Sequence, residues 1–269
     1  MRQNTGAPGF VAAGLGWGLA AGLALGVLLI APAMGALQGA STSEAQSRDP
    51  QEQSAEAEAA AANEVLAAKA EEMVEGELEG NAIVMIRAAG VDDDSADKQR
   101  WLLNTAGADN AGTITLTEKF TSQDAANELS TIISSTLPAG AQLSVDNRSP
   151  GVHAGEALAA GLGEASATDR EFLLETLAQA GFLTYDDSVT AADAAVLLTG
   201  PTAQDSPYAD RLLADMAQAF NAAGGTLVVA GEGTAASEGA PRVDYADTEA
   251  GRVNTVFTLR DELPQGNYS

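Results

Sequence analysis

Residues 10–37 carry no charged side chain. Their centre, 11–30, matches the roughly 20 apolar residues that cross a bilayer core. The run exceeds the ~7–15 residues of the apolar part of a secretory signal. A retained transmembrane helix over 10–37 is therefore expected, with cleavage after Ala31-Pro32-Ala33 as the competing outcome. Arg2 is the basic side chain before the run, and Glu44, Arg48 and Asp49 are the first charges beyond it. The positive-inside tendency then puts residues 1–9 in the cytoplasm and the bulk of the chain outside the cell membrane, as a single-pass protein. Gly14, Gly18, Gly22 and Gly26 recur every four residues and share one helix face. Such a small-residue face lets another backbone approach closely. It predicts a helix–helix interface, either for self-association or for a membrane partner.

A polar linker is expected over 38–51, with Pro50 as a stop. The stretch 52–79 is rich in Ala and Glu, both strong helix formers, and predicts one acidic helical stalk. Ala62, Leu66, Met73 and Val74 form a thin apolar stripe interrupted by Lys69. The stalk is read as a solvated spacer, with a weak parallel coiled coil as the alternative.

From residue 80 the pattern changes. Ala82-Ile83-Val84-Met85-Ile86 is a continuous apolar run, as in a strand buried on both faces. Asp92-Asp93-Asp94 opens a helix that carries Trp101 and Leu103. Thr113-Ile114-Thr115-Leu116-Thr117 alternates as a strand. Helices are expected over 124–137, 155–162, 169–180 and 208–223. Short strands are expected over 182–185, 195–198 and 227–229. The alternation over 252–259 predicts a last strand at a sheet edge. Strands alternating with helices imply an α/β domain over 80–263, three layers around a mostly parallel sheet, followed by a C-terminal tail over 264–269.

The chain has 38 acidic against 13 basic side chains, a net charge of −25, and no Cys. That balance argues against nucleic acid as a partner, because no basic surface exists to neutralise phosphates. Without Cys there are no disulfides, thiolate zinc sites or Cys nucleophile. In open α/β sheets ligands sit beyond the carboxyl ends of strands. Three loops qualify: Asp92-Asp93-Asp94, Gly200-Pro201 and Gly231-Glu232-Gly233. The acids serve as helix caps or, alternatively, as oxygen ligands for a hard cation. The glycines mark tight turns, since no phosphate-loop motif is present. His153 is the single His, and with Glu156 it forms His-x-x-Glu beside Pro150-Gly151. It is read as a surface-loop residue, and with Asp92, Asp93 and Asp94 it completes the metal-ligand candidates. No Gly-x-Ser-x-Gly elbow exists, the Met residues are scattered, and no enzymatic activity is expected. The residues themselves predict no cofactor.

Four segments carry a resemblance. Val91-Asp92-Asp93-Asp94, Thr115-Leu116-Thr117-Glu118-Lys119-Phe120, Leu137-Pro138-Ala139-Gly140-Ala141-Gln142-Leu143-Ser144 and Ala180-Gly181-Phe182-Leu183-Thr184-Tyr185 follow in this order, with Gly251-Arg252-Val253 near the end. In order and spacing they resemble the MctB family, the so-called copper transporters of mycobacteria and corynebacteria. The resemblance covers about 80–263, and the N-terminal helix and stalk match as well. It implies an actinobacterial envelope protein with a role in copper homeostasis or efflux. Corynebacterial relatives called SteB imply the alternative, a non-enzymatic scaffold. Such a scaffold would pair with a SteA-like membrane partner and modulate septal cell-wall hydrolysis and cell separation. Copper is implied by this resemblance alone.

Overall fold

The apolar run at Ala82 folds as β1 (Ala82–Arg87), with its four central residues buried. In the computed structural model, residues 50–186, 189–200, 206–231 and 239–264 are described. The expected membrane helix with Gly14, Gly18, Gly22 and Gly26, most of the linker, and tail residues 265–269 lie outside them. Before β1 come α1 (Pro50–Ala67) and α2 (Ala70–Val74). After it follow α3 (Asp93–Thr105), β2 (Asp109–Leu116), α4 (Ala126–Ser135), α5 (Pro150–Leu162), α6 (Ala167–Gln179), β3 (Leu183–Tyr185) and β4 (Ala194–Thr199). The chain continues through α7 (Pro207–Ala222), β5 (Leu227–Gly231), β6 (Arg242–Val243) and α8 (Glu249–Glu262).

The six strands form one sheet in the order β3-β2-β1-β4-β5-β6. All neighbours pair in parallel except β2 with β3. Alternation along each strand sends side chains to opposite faces. Val84 and Ile86 pack into the core shared with α4, α5, α6 and α7, whereas Ile83 and Met85 pack with α2, α3 and α8. The expected three-layer α/β arrangement is observed, with growth of the sheet reversing between β1 and β4. That reversal is the topological switch point of doubly wound sheets.

One irregularity positions a half-buried cation. The β1–β2 register shifts between Ile83 and Met85. Gly112 sits in this bulge at φ +98°, and a Cβ there would come within 2.9 Å of the Val189 backbone. Arg100 on α3 donates to the carbonyls of Ile83 (3.2 Å) and Gly112 (2.8 Å). Desolvation lowers the guanidinium's pKa, so the carbonyls are its compensation.

Four expectations about elements need correction. Residues 252–259 are not an edge strand but lie within α8. Val253, Val256 and Leu259 recur at helical spacing and are all buried, and the Thr248 side chain caps the helix by accepting from Gly251 N–H. The expected single helix over 52–79 is two helices, interrupted at Ala68 and Lys69. Ala70, Val74 and Leu78 are buried in the α/β core, so the folded domain starts well before residue 80. Pro50 opens α1 rather than ending a linker, since its missing N–H costs nothing in a first helical turn. The helix expected from 155 begins at Pro150, where the Ser149 hydroxyl caps Val152 N–H. Among the described residues no helix is long and apolar enough to cross a membrane.

Candidate functional site

The carboxyl ends of β1, β4 and β5 open into a crevice of about 240 Å³. Its walls come from the β1–α3 turn (Gly90, Val91, Asp92, Ser95), from Leu198, Thr199 and Gly200 at the end of β4, and from Ala230 and Gly231 at the end of β5. Ala246 and Asp247, from the turn between β6 and α8, close it. All three loops expected to frame a site thus converge, through Asp92, Gly200 and Gly231. Pro201, Glu232 and Gly233 lie outside the described residues. The backbones meet closely here, and at Gly231, with φ +133°, only glycine fits. A Cβ on Gly200 would come within 3.1 Å of the Gly90 carbonyl oxygen, and one on Gly231 would strike the Thr199 carbonyl. A second cavity of about 320 Å³ lies beside Gly90, between Ala88, Glu118 and Ser206.

The three acids of the β1–α3 turn do not act together. Asp92 Oδ1 accepts from Ser95 N–H at 2.9 Å. This backbone hydrogen bond holds its carboxyl below the ordinary carboxylate range. Asp93 pairs with Arg87 at 2.6 Å, and Asp94 with Lys98 at 2.6 Å. Each carboxylate is therefore engaged by a different partner, as capping and macrodipole complementarity favour. Among the described residues no group of three metal-ligating side chains forms.

The turn from Asp244 to Thr248 was not foreseen. Tyr245 adopts a left-handed φ of 58°. Its carbonyl accepts from Thr248 N–H (2.9 Å) and the Thr248 hydroxyl (2.8 Å). Gly251 lies against that carbonyl so closely that a Cβ would overlap it. Arg252, only 5% exposed, donates to the Asp247 carbonyl at 2.7 Å and pairs with Glu249 at 2.7 Å. Gly251-Arg252 is thus the clamp that sets Ala246 and Asp247 into the crevice wall. The strand expected at 252–259 hid this role, because a strand would have sent Arg252 elsewhere.

His153 also needs correction. It lies within α5 rather than on a surface loop, and it is 9% exposed. Its Nε2 is 3.0 Å from the Ser144 carbonyl, while Glu156 Oε2 accepts from Ser144 N–H at 2.9 Å. The His-x-x-Glu pair therefore grips both backbone groups of Ser144 and pins the 137–144 loop. The methionines are equally dispersed: Met85 in β1, Met216 buried in α7, and Met73 partly exposed near the end of α2.

A family model described as "Copper transport outer membrane protein, MctB" matches residues 10–268. The chain belongs to the MctB family. A Mycobacterium leprae protein named copper transporter MctB is 30% identical over 223 residues, covering 71% of this chain and 69% of the relative. Proteins of the same name from Mycobacterium bovis and Mycobacterium tuberculosis are each 29% identical over 222 residues, covering 72% of this chain and 71% of the relative. The segments that carry the MctB resemblance fall at joints of the fold. The motif beginning at Thr115 meets the one beginning at Ala180. Thr117 donates to the Gly181 carbonyl (2.7 Å), Lys119 donates to the Ala180 carbonyl (2.8 Å), and the Lys119 ammonium sits 4.4 Å from the Phe182 ring centroid. The Leu137 motif is the loop held by His153 and Glu156, and the Val91 motif is the α3 cap.

Proposed function

We propose that this MctB-family protein takes part in copper handling at the cell envelope, as a membrane-anchored protein without catalytic activity of its own. The observation that carries the proposal is the span of the family match, which begins at residue 10 and includes both the uncharged segment and the α/β domain. Three mycobacterial relatives bear the name copper transporter. In this proposal 10–37 is the single-pass anchor, 1–9 is cytoplasmic, and the α/β domain is extracytoplasmic. The engagement of Asp92, Asp93, Asp94 and His153 in capping, ion pairing and loop clamping supports a binding or assembly role over catalysis. One apolar helix cannot enclose a path for a metal ion, so copper movement calls for an assembly. Gly14, Gly18, Gly22 and Gly26 suit pairing with a second copy or with a membrane partner, such as a SteA-like protein.

The test is gene deletion in the source organism, with cell-associated copper measured under copper load. Deletion is expected to raise copper content and lower copper tolerance. The intact gene should restore both, and the double variant Gly18→Leu, Gly22→Leu should not. Unchanged copper content after deletion overturns the proposal. Unchanged copper together with unseparated daughter cells would put the SteB-like scaffold role in its place.

A further inference from the structure

We propose that α1 is a hinged strap. It pivots at Ala68 and Lys69, latches onto the head of α8 through Asn63, and by latching steadies the turn that walls the crevice. This goes beyond copper handling and does not depend on it.

The hinge is set by what flanks it. Lys69 N–H donates to the Leu66 carbonyl at 3.0 Å, a three-residue step that closes α1, and a ψ of −7° at Lys69 turns the chain before α2. Directly beyond, Ala70 and Val74 are buried in the core, so α2 is fixed to the α/β body. On the other side no residue from 57 to 69 is buried; Asn63 and Leu66 are half-buried and the others exposed. A short irregular link between an anchored element and an exposed one is where rigid-body motion concentrates. α1 has 18 residues rich in Ala and Glu, so it can stay helical away from the surface.

The seat is loosely made. α1 packs against α8, yet a groove of about 570 Å³ remains between them. Ala59, Ala62 and Leu66 line it on one side, and Tyr245, Ala250 and Gly251 on the other. Tyr245 stays 64% exposed there, so α1 does not cover it. Protein interiors leave few voids larger than a water molecule, and this contact therefore gains little from packing. Segments with few buried apolar contacts open at a small fraction of the free energy of global unfolding.

The latch is polar and specific. Asn63 Oδ1 accepts from Glu249 N–H at 2.7 Å, across 186 residues of chain. Among the side chains described for α1, that of Asn63 alone bonds to the body. The bond satisfies the first free N–H of α8, while the Thr248 hydroxyl accepts from Gly251 N–H at 3.1 Å. The head of α8 is thus capped twice, once from its own turn and once from α1. The same head carries Arg252, whose guanidinium holds the Asp247 carbonyl in the crevice wall. Lifting α1 returns the Glu249 N–H to water and leaves the turn from Asp244 to Thr248 held by its local bonds. A pull or a partner acting on the chain before residue 50 reaches the crevice by this route.

The chain has no Cys, so introduced cysteines can carry spin labels without competition. Ala60→Cys on α1 and Gln218→Cys on α7 are exposed positions. Their separation is measured by double electron–electron resonance on the full chain in detergent micelles. A docked distance should dominate, with a lifted population that grows in Asn63→Ala. The docked-to-lifted ratio is expected to fall about fivefold, as loss of one hydrogen bond of ordinary strength does. Asn63→Asp keeps the acceptor and should hold the parent ratio. Hydrogen exchange reads the coupling. In Asn63→Ala the Thr248 amide, bonded to the Tyr245 carbonyl, should exchange about fivefold faster, while amides of the central strand β4 stay unchanged. A distance distribution that Asn63→Ala leaves unaltered overturns the proposal. So does a loss of the docked population in Asn63→Asp as large as in Asn63→Ala, because the acceptor would then not be the latch. Unchanged exchange at Thr248, or equal acceleration in β4, also overturns it, since the strap would not act on the crevice wall.

Discussion

At the head of α3 the Asp92 carboxylate caps the first turn. The bond to Ser95 N–H is worth about 1 kcal/mol in a typical cap. Asp92→Ala is expected to lower stability by about that much in urea unfolding at neutral pH, while Asp92→Asn stays close to the parent. Acid should separate the parent from Asp92→Asn. The folded carboxyl titrates below its ordinary range, so the unfolded chain takes up the proton first as pH falls. Stability from the charged cap is complete above the ordinary carboxylate range and is lost as pH drops through the lower folded value. Unfolding midpoints measured from neutral pH to below pH ~4 should therefore fall more steeply for the parent than for Asp92→Asn. Parallel slopes would show that the charge contributes nothing beyond the hydrogen bond. This cap was legible in the sequence because its donor is three residues away. The role of His153 was not, because its partner Ser144 sits on an irregular loop whose path no local pattern reports.

Helix pairing carries the next level of specificity. On α5, Gly151 and Gly155 face α7 so closely that a Cβ on Gly155 would strike the Met216 carbonyl and lie 2.9 Å from the Ala219 side chain. Beside them the Ser149 hydroxyl donates to Asp215 at 2.7 Å. Gly155→Ala must force the helices apart, and overpacking of this kind costs about 1–3 kcal/mol. A lowered denaturant midpoint with an unchanged slope is the expected result. A neutral or stabilising effect, from the better helix propensity of Ala, would mean that the pair separates freely. Element type was legible where apolar spacing was unambiguous, as in β1 and α7. It failed at α8, where Val253, Thr255 and Phe257 alternate like a strand while Val253, Val256 and Leu259 also repeat like a helix. Burial against β5 and the Thr248 cap decided in favour of the helix.

The whole molecule is a strongly acidic body, with a net charge of −25 spread over 269 residues. Self-repulsion at that charge opposes compactness, and salt screens it. Raising ionic strength from about 0.01 M to 0.15 M shortens the Debye length from about 30 Å to 8 Å. The thermal midpoint of the full chain is expected to rise over that range. A falling midpoint would mean that attractive exposed pairs such as Lys98–Asp94 outweigh the general repulsion. Sequence alone determined the α/β class, the three layers, the acidic cap of α3 and the resemblance to the MctB family. These depend on periodicity and on partners a few residues apart, where chain connectivity sets the geometry. Only the tertiary structure decided the strand order, the membership of residues 70–78 in the core, and the meeting of Gly90, Thr199, Gly231 and Asp247 around one crevice. Parallel pairing joins strands far apart in the chain, and packing of both sheet faces selects among the many orders that local pattern allows.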